Sequence, residues 1–279
     1  MNYIQSPFFS VIIPTYNREH FLKIAIESVL NQIFQDFELI VIDDGSTDCT
    51  KDLIKSYEDR RLKYICQKNH GVAHARNKGI ENSVGRFIAF LDSDDSWVPE
   101  KLRITKECID KFSEIKIFHT EEIWYRRGKL LNQKKKHKKP NGNVFYNSLP
   151  LCCIGMSTSV IKKEIFNKIG KFDESLPACE DYDFWLRATL EYEVKLIPKR
   201  LTIKNGGRSD QLSSQHSLDK FRIKALGKML QSNSLNNKQY KATYYELVRK
   251  CKIFSLGSKK RGKFEEVETC NSLVERYSI

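Results

Sequence analysis

Short apolar runs alternate with amphipathic segments through the first hundred residues, with almost no slack between them. Phe8–Pro14 (FFSVIIP), Phe37–Ile42 (FELIVI), Leu62–Cys66 and Phe87–Leu91 (FIAFL) are β-branched or aromatic and of strand length. Between the first two, Phe21, Ile24, Ala25, Val29 and Leu30 recur at helical spacing after Asn17, a residue suited to cap a helix. A second helix, capped by Ser46 or Thr47, is expected to run to about Tyr57, and a third spans Val72–Asn82. Strand and helix alternating at this pitch wind into a mostly parallel, doubly wound α/β sheet flanked by helices. Such sheets bind ligands beyond the carboxyl ends of their strands. Three polar tails leave strands there: Thr15-Tyr16-Asn17, Asp43–Asp48 and Asp92–Asp95. Together they describe a site.

Beyond Trp97 the pattern loosens. A helix near Glu100–Phe112 and a strand near Ile115–His119 precede a basic loop over 126–143. Cys153–Val160 and Ile161–Ile169 read as strand and helix, and Glu180–Leu190 as an amphipathic helix with Phe184, Trp185 and Leu190 toward the core. After Gly206-Gly207 the chain is mostly helical, clearest over Leu218–Leu230 and Lys241–Leu256. This organisation is expected to give an α/β unit over 1–205 and a basic helical C-terminal appendage over 206–279.

Charge and absences narrow the function. The 279 residues carry a net +13. Arg126–Lys139 alone contributes +8 and Leu201–Ile279 contributes +9, so the remainder is −4. The basicity is local, and KKKHKK at Lys134–Lys139 has no interleaved aromatics, which disfavours nucleic acid as a partner. No run of about 18 apolar residues is present to span a membrane, and the N-terminus lacks a secretory leader, so a cytoplasmic location is expected. The 8 cysteines show no C-x-x-C pairing and read as buried free thiols. A phosphate loop and a G-x-G-x-x-G turn are both missing, which argues against ATPases and dinucleotide dehydrogenases.

The strand-end acids carry the chemistry. Asp92, Asp94 and Asp95 fall within four positions, where mutual repulsion disfavours ionisation unless a cation is near. Carboxylates at i and i+2 can face one hard divalent ion, and magnesium or manganese keeps positions open for phosphates. A solvated acidic turn is the plain alternative. Asp43-Asp44-Gly45-Ser46 is either an Asx-type turn with Gly45 at positive φ or a carboxylate offered to a base or ribose. Arg76, on the third helix, can pair with a phosphate or with an Asp.

The series VIIPTYNRE (11–19), IDDGSTD (42–48), GVAHARNKGI (71–80), FLDSDD (90–95) and EDYDFWLR (180–187) closely resembles the family 2 glycosyltransferases. These are inverting enzymes of the GT-A fold that use nucleotide-diphosphate sugars and a divalent metal. The resemblance covers about residues 8–200 in order and spacing. It implies that Pro14, Thr15 and Tyr16 line the nucleotide pocket, that Asp44 holds the uracil or its equivalent, and that Arg76 lies near base or phosphates. It assigns Asp92 to the ribose and the metal's vicinity, Asp94 to Mn2+ or Mg2+, and Asp181 to the general base, with Glu180 and Asp183 competing. The implied donor is a nucleotide-diphosphate sugar, UDP-linked by expectation, and the implied acceptor is a hydroxyl of a glycan or lipid-linked molecule in cell-envelope polysaccharide synthesis.

A nucleotidyltransferase of related fold would carry a Gly-rich, basic loop after the first strand. Thr15-Tyr16-Asn17-Arg18 stands there instead. His70, His74 and His119 read as structural, whereas His216 sits in a stretch able to close over the site. Trp185 reads as core and Trp124 as an acceptor-site candidate. The two basic segments are expected to hold the enzyme at an anionic membrane face or an acidic acceptor.

Overall fold

A computed structural model describes residues 6–134, 137–208 and 217–278. The expected alternation is present: β1 (Phe9–Thr15), α1 (Glu19–Leu30), β2 (Phe37–Asp43), α2 (Thr50–Lys55), β3 (Leu62–Cys66), α3 (Val72–Asn82) and β4 (Phe87–Phe90). Every residue of β1, β2 and β4 is buried, as continuous apolar runs require when helices cover both faces of a sheet. On α1 the buried stripe is Leu22, Ala25, Ile26 and Val29, and Ile24 faces solvent. The helical period was right, and its phase is set by packing on β1.

Asn17 does not cap α1. It adopts φ +50° and turns its Oδ1 to the Thr47 backbone N–H at 2.7 Å, while its own N–H donates to Ser46 Oγ at 2.9 Å. The helix starts are capped across the gap instead. Asp48 Oδ2 accepts the Glu19 N–H at 3.2 Å and Glu19 Oε2 accepts the Cys49 N–H at 2.7 Å, so the β1–α1 and β2–α2 loops form one unit.

The second half continues with β5 (Asp95–Trp97), α4 (Lys101–Lys111), β6 (Ile117–Arg126), β7 (Lys129–Leu131), α5 (Phe145–Ser148), β8 (Ser159–Lys162), α6 (Glu164–Ile169), α7 (Glu180–Glu191) and β9 (Val194–Gly206). The nine-stranded sheet runs β3-β2-β1-β4-β8-β6-β9-β5, with β7 paired to β6. The first four of these strands are parallel, as the alternation requires. Beyond them β8 is antiparallel to β4 and β6, β6 and β9 are parallel, and β5 closes antiparallel on β9. The loop after Arg126 begins as a hairpin, with Arg127 (φ +52°) and Gly128 (φ +74°) at its turn.

Helices α8 (Asp219–Gln231), α9 (Asn237–Lys260) and α10 (Phe264–Arg276) follow. The capping box of Asn236 and Gln239 starts α9. Their apolar faces enclose a cluster with Phe145, Leu149, Tyr182 and Leu186 from α5, its C-terminal end and α7. Two further clusters pack on the two faces of the sheet.

Candidate active site

The ends of β1, β2 and β4 lie side by side, with Thr15 in register with Asp43. Pro14 and Thr15 are buried, Tyr16 is 47% exposed, and the buried Thr15 Oγ1 has no hydrogen-bond partner among the described residues. Asp43 forms the Asx-type turn, accepting the Ser46 N–H at 2.8 Å and the Tyr64 hydroxyl at 2.7 Å. Gly45 supplies φ +83°, and a Cβ there would lie 3.0 Å from the Asn69 backbone nitrogen. Asp44 is buried and draws in the β3–α3 loop. Its carboxylate accepts the Gln67 side-chain amide at 2.7 Å and the His70 and Gly71 N–H groups at 2.9 and 2.8 Å. Asp43 and Asp44 are thus held by the loops they shape.

The acidic turn has protein countercharges, and of the two partners open to Arg76 the structure shows an Asp. Arg76 is buried and donates to Asp92 Oδ1 at 2.8 Å and to Glu180 Oε1. Asp94 accepts from Arg18 at 3.0 Å and from Arg208. Asp95 accepts the Ser157 hydroxyl at 2.6 Å and lies 3.8 Å from Lys204 Nζ. Burial works to raise Asp92, but Arg76 and Lys204 outweigh it and hold the carboxyl below its usual range. Burial pushes Asp95 up, aided by Asp92 and Asp94 and opposed by Lys204. Ser157 also braces the turn through Oγ, which accepts the Asp92 N–H at 3.1 Å.

A divalent ion on a diphosphate takes one or two protein carboxylates and fills its other positions with phosphate and water oxygens. Asp92 and Asp94, at i and i+2 past β4, are an oxygen pair of that kind. No group of three or more His, Cys, Asp or Glu side chains able to cage a metal occurs among the described residues. Asp92 and Asp94 fit an ion that takes its remaining ligands from a diphosphate and water, with Asp94 also held by Arg18 and Arg208.

The first turn of α7 separates three acids that sequence left in competition. Glu180 is buried against Arg76, and burial pushes its carboxyl up while Arg76 acts against it. Asp183 is buried between Arg187 at 2.9 Å and Lys228 at 2.6 Å. Asp181 is half-buried, accepting the Tyr182 N–H at 2.7 Å and the Cys152 thiol at 3.4 Å. Two of the three are committed to structural cations. Asp181 has no ion pair of this kind among the described residues.

Lys204, Ser157 and Glu122 sit among these groups and carried no sequence signal, because β9 and the turn holding Ser157 were not legible. Trp185 is fully buried, as expected. Trp124 is half-buried, donates from Nε1 to Glu122 at 2.7 Å and packs against His137 with ring centroids 4.7 Å apart and planes tilted by 46°. The His70 and His74 rings lie 4.7 Å apart, tilted by 33°, and buried His119 reaches the Pro140 carbonyl at 2.8 Å. His216 lies outside the described residues. A groove of about 610 Å³ among α8, α9 and α10, walled by Phe221, Phe254 and Leu273, is lined by none of the acidic-turn residues.

A family model described as "Glycosyl transferase family 2" matches residues 10–169. An uncharacterized glycosyltransferase of Rickettsia felis is 37% identical over 200 residues, 69% of this chain and 32% of that protein. The chain spans between 28% and 59% of the length of five Rickettsia relatives. The Escherichia coli protein named UDP-Glc:alpha-D-GlcNAc-diphosphoundecaprenol beta-1,3-glucosyltransferase WfgD is 32% identical over 192 residues, 67% of this chain and 72% of that one. The fold matches TarS 1–349 of S. aureus, solved with UDP-GlcNAc, at a TM-score of 0.77 and 22% identity, over 96% of this chain and 82% of that one. The architecture is thereby the GT-A type.

Proposed function

The chain belongs to glycosyl transferase family 2, and from that premise we propose that it moves a sugar with inversion from a UDP-sugar to a hydroxyl of a glycan or lipid-linked acceptor. The observation that carries the reading is a continuous ionic chain. Asp92 joins Arg76, Arg76 joins Glu180, and Glu180 precedes Asp181 on α7. Acidic turn and candidate base are therefore held in fixed relation.

In this reading Pro14, Thr15, Tyr16 and Asp44 receive the nucleotide and Asp92 the ribose. A bound Mn2+ or Mg2+, held by Asp94 with Asp92, supplies Lewis-acid stabilisation of the diphosphate's growing negative charge. Asp181 takes the proton of the acceptor hydroxyl as its oxygen bonds to the anomeric carbon. The bond from that carbon to the diphosphate breaks on the opposite face, and the electron pair leaves with the diphosphate. Arg76 keeps the Asp92 and Glu180 charges compensated while this happens. Donor chemistry in TarS and WfgD, named with UDP-GlcNAc and UDP-Glc, supports the UDP expectation. A role in cell-envelope polysaccharide synthesis fits the same relatives.

The test is a panel of nucleotide sugars with Mn2+, Mg2+ or EDTA, read by nucleoside diphosphate release and thermal shift. One nucleotide sugar is expected to raise the melting temperature and turn over only with metal. Asp181→Asn should keep the shift and lose roughly 10²–10⁴-fold in transfer, the usual worth of a positioned base. Wild-type turnover in that variant, or full turnover in EDTA, would overturn the corresponding assignment.

A further inference from the structure

A row of polar side chains crosses the sheet away from the acidic turn. Asp95 of β5 is in register with Lys204 of β9, and Lys204 with Trp124 of β6. Side chains two apart on a strand share a face, so Glu122 stands beside Trp124 on the same side. Lys139, expected to be one of a run of surface cations, is buried and lies 3.2 Å from Glu122 Oε1, which also accepts the Trp124 indole N–H.

Glu122 is 4% exposed and charged, and its Oε2 has no hydrogen-bond partner among the described residues. Lys139 and Lys204 outweigh the burial that works against its ionised form. A buried carboxylate oxygen left unmatched is costly unless a ligand completes it. Gly155 explains where the ligand would enter. A Cβ at this half-buried position would lie 3.4 Å from Glu122 Oε2, 3.5 Å from Lys204 Nζ and 3.9 Å from Lys139 Nζ. Its φ of −74° suits any residue, so backbone geometry does not demand glycine. The missing side chain leaves room for about one atom beside three charged heads.

We propose that Glu122, Lys139 and Lys204, reached past Gly155 and flanked by Trp124, form a subsite for a pyranose ring of the acceptor. A hydroxyl group is the natural occupant, because it donates to the carboxylate and accepts from an ammonium at once. A phosphate dianion offers no proton to Glu122, and an ammonium ligand offers no lone pair to the lysines. An indole face beside such a diol reader suits the apolar face of a sugar ring. The loop from Cys152 to Ser157 fixes the location. Its start touches Asp181, its middle is Gly155, and its end braces Asp92 and Asp95. A ring seated there has the candidate base on one side and the acidic turn on the other. This rests on the transfer reading above and names which sugar the site holds: the acceptor's, since the row leads away from Asp44 and the nucleotide side.

Tryptophan emission of the full chain, titrated with methyl glucoside, galactoside, mannoside and N-acetylglucosaminide, tests the subsite without turnover. Trp97 and Trp185 are buried, so Trp124 supplies the responsive signal, and Trp124→Phe should remove it. At least one pyranoside is expected to quench wild-type emission saturably. Glu122→Gln should weaken it about tenfold, the value of one hydrogen bond to a charged group. Gly155→Ala, which leaves the backbone unstrained, should weaken it at least as much by filling the approach. No response to any pyranoside, or wild-type affinity in both variants, overturns the subsite. A pyranoside displaced by a nucleotide sugar but not by its free nucleotide would give the ring to the donor and overturn the acceptor assignment. Calorimetry of UDP and UDP-sugars on the wild-type chain tests the parent reading separately.

Discussion

Arg76 holds more of the site together than any other side chain. Its guanidinium is buried and bridges Asp92 to Glu180, and the carboxylates around it hold its proton more tightly than usual despite burial. Removing one member of a buried ionic cluster leaves the others uncompensated. Arg76→Met is therefore expected to cost about 3–5 kcal/mol in urea unfolding. Arg76→Lys should recover only part, since an ammonium lacks the planar fork that serves two carboxylates. A loss below about 1 kcal/mol for the Met variant would show that the cluster relaxes or takes in water. Asp44, Arg76 and Asp92 stand out in the sequence because each lies past the end of a strand or in the first turns of a helix, positions set by local periodicity, whereas Asp181 is singled out only by the family resemblance. Glu122 and Lys204 were not, since only the pairing of strands about 80 residues apart makes them neighbours.

At the scale of elements, α4 is tied to the sheet by a charge inside the core. Lys101 is fully buried, and its Nζ donates to Thr120 Oγ1, the Thr158 carbonyl and Thr202 Oγ1 at 3.2–3.3 Å, with the Trp97 ring 4.9 Å away. Burial lowers its pKa to about 7, with Lys139 adding to the shift and Glu122 opposing it. Between about 7 and the ordinary value of 10.5 the unfolded chain binds the proton that the folded chain has lost. Stability from this group therefore rises with pH across that window and is flat below it. In chemical unfolding at pH 7 and pH 9.5, the wild type should gain on Lys101→Met as pH rises, and equal slopes would refute the shift. The strands around Lys101 explain what periodicity missed. VKLIPKRLTIKNG carries Pro198 and four cations, which hides a strand of 13 residues, and its pairing with β6 shifts register on either side of Glu121.

Across the whole molecule, the net +13 divides differently from its distribution in sequence. Lys228 neutralises Asp173 and Asp183, Lys250 is buried near Asp219 and Glu246, and Lys139 serves Glu122. Arg126, Arg127, Lys129, Lys259 and Lys260 stay exposed on the hairpin and at the end of α9, among other cations spread over the surface. No described helix is long and apolar enough to cross a membrane. The C-terminal helices share one core with α5 and α7, and the Tyr182 hydroxyl anchors that junction on the Leu149 carbonyl at 2.5 Å. A chain ending at Asn205 should therefore bind the dye ANS and lose its cooperative thermal transition; a sharp transition with wild-type nucleotide affinity would show the α/β unit to be self-sufficient.

That shared core also sets an order for synthesis. The segment holding Tyr182 and Leu186 is translated about 90 residues before Tyr277, which closes the same cluster. At roughly 5–20 residues per second, that face waits on the order of 5–20 s for its cover. The nascent enzyme thus passes through an interval in which the helix bearing its candidate base is adhesive, and chaperone occupancy on stalled ribosome complexes should peak there.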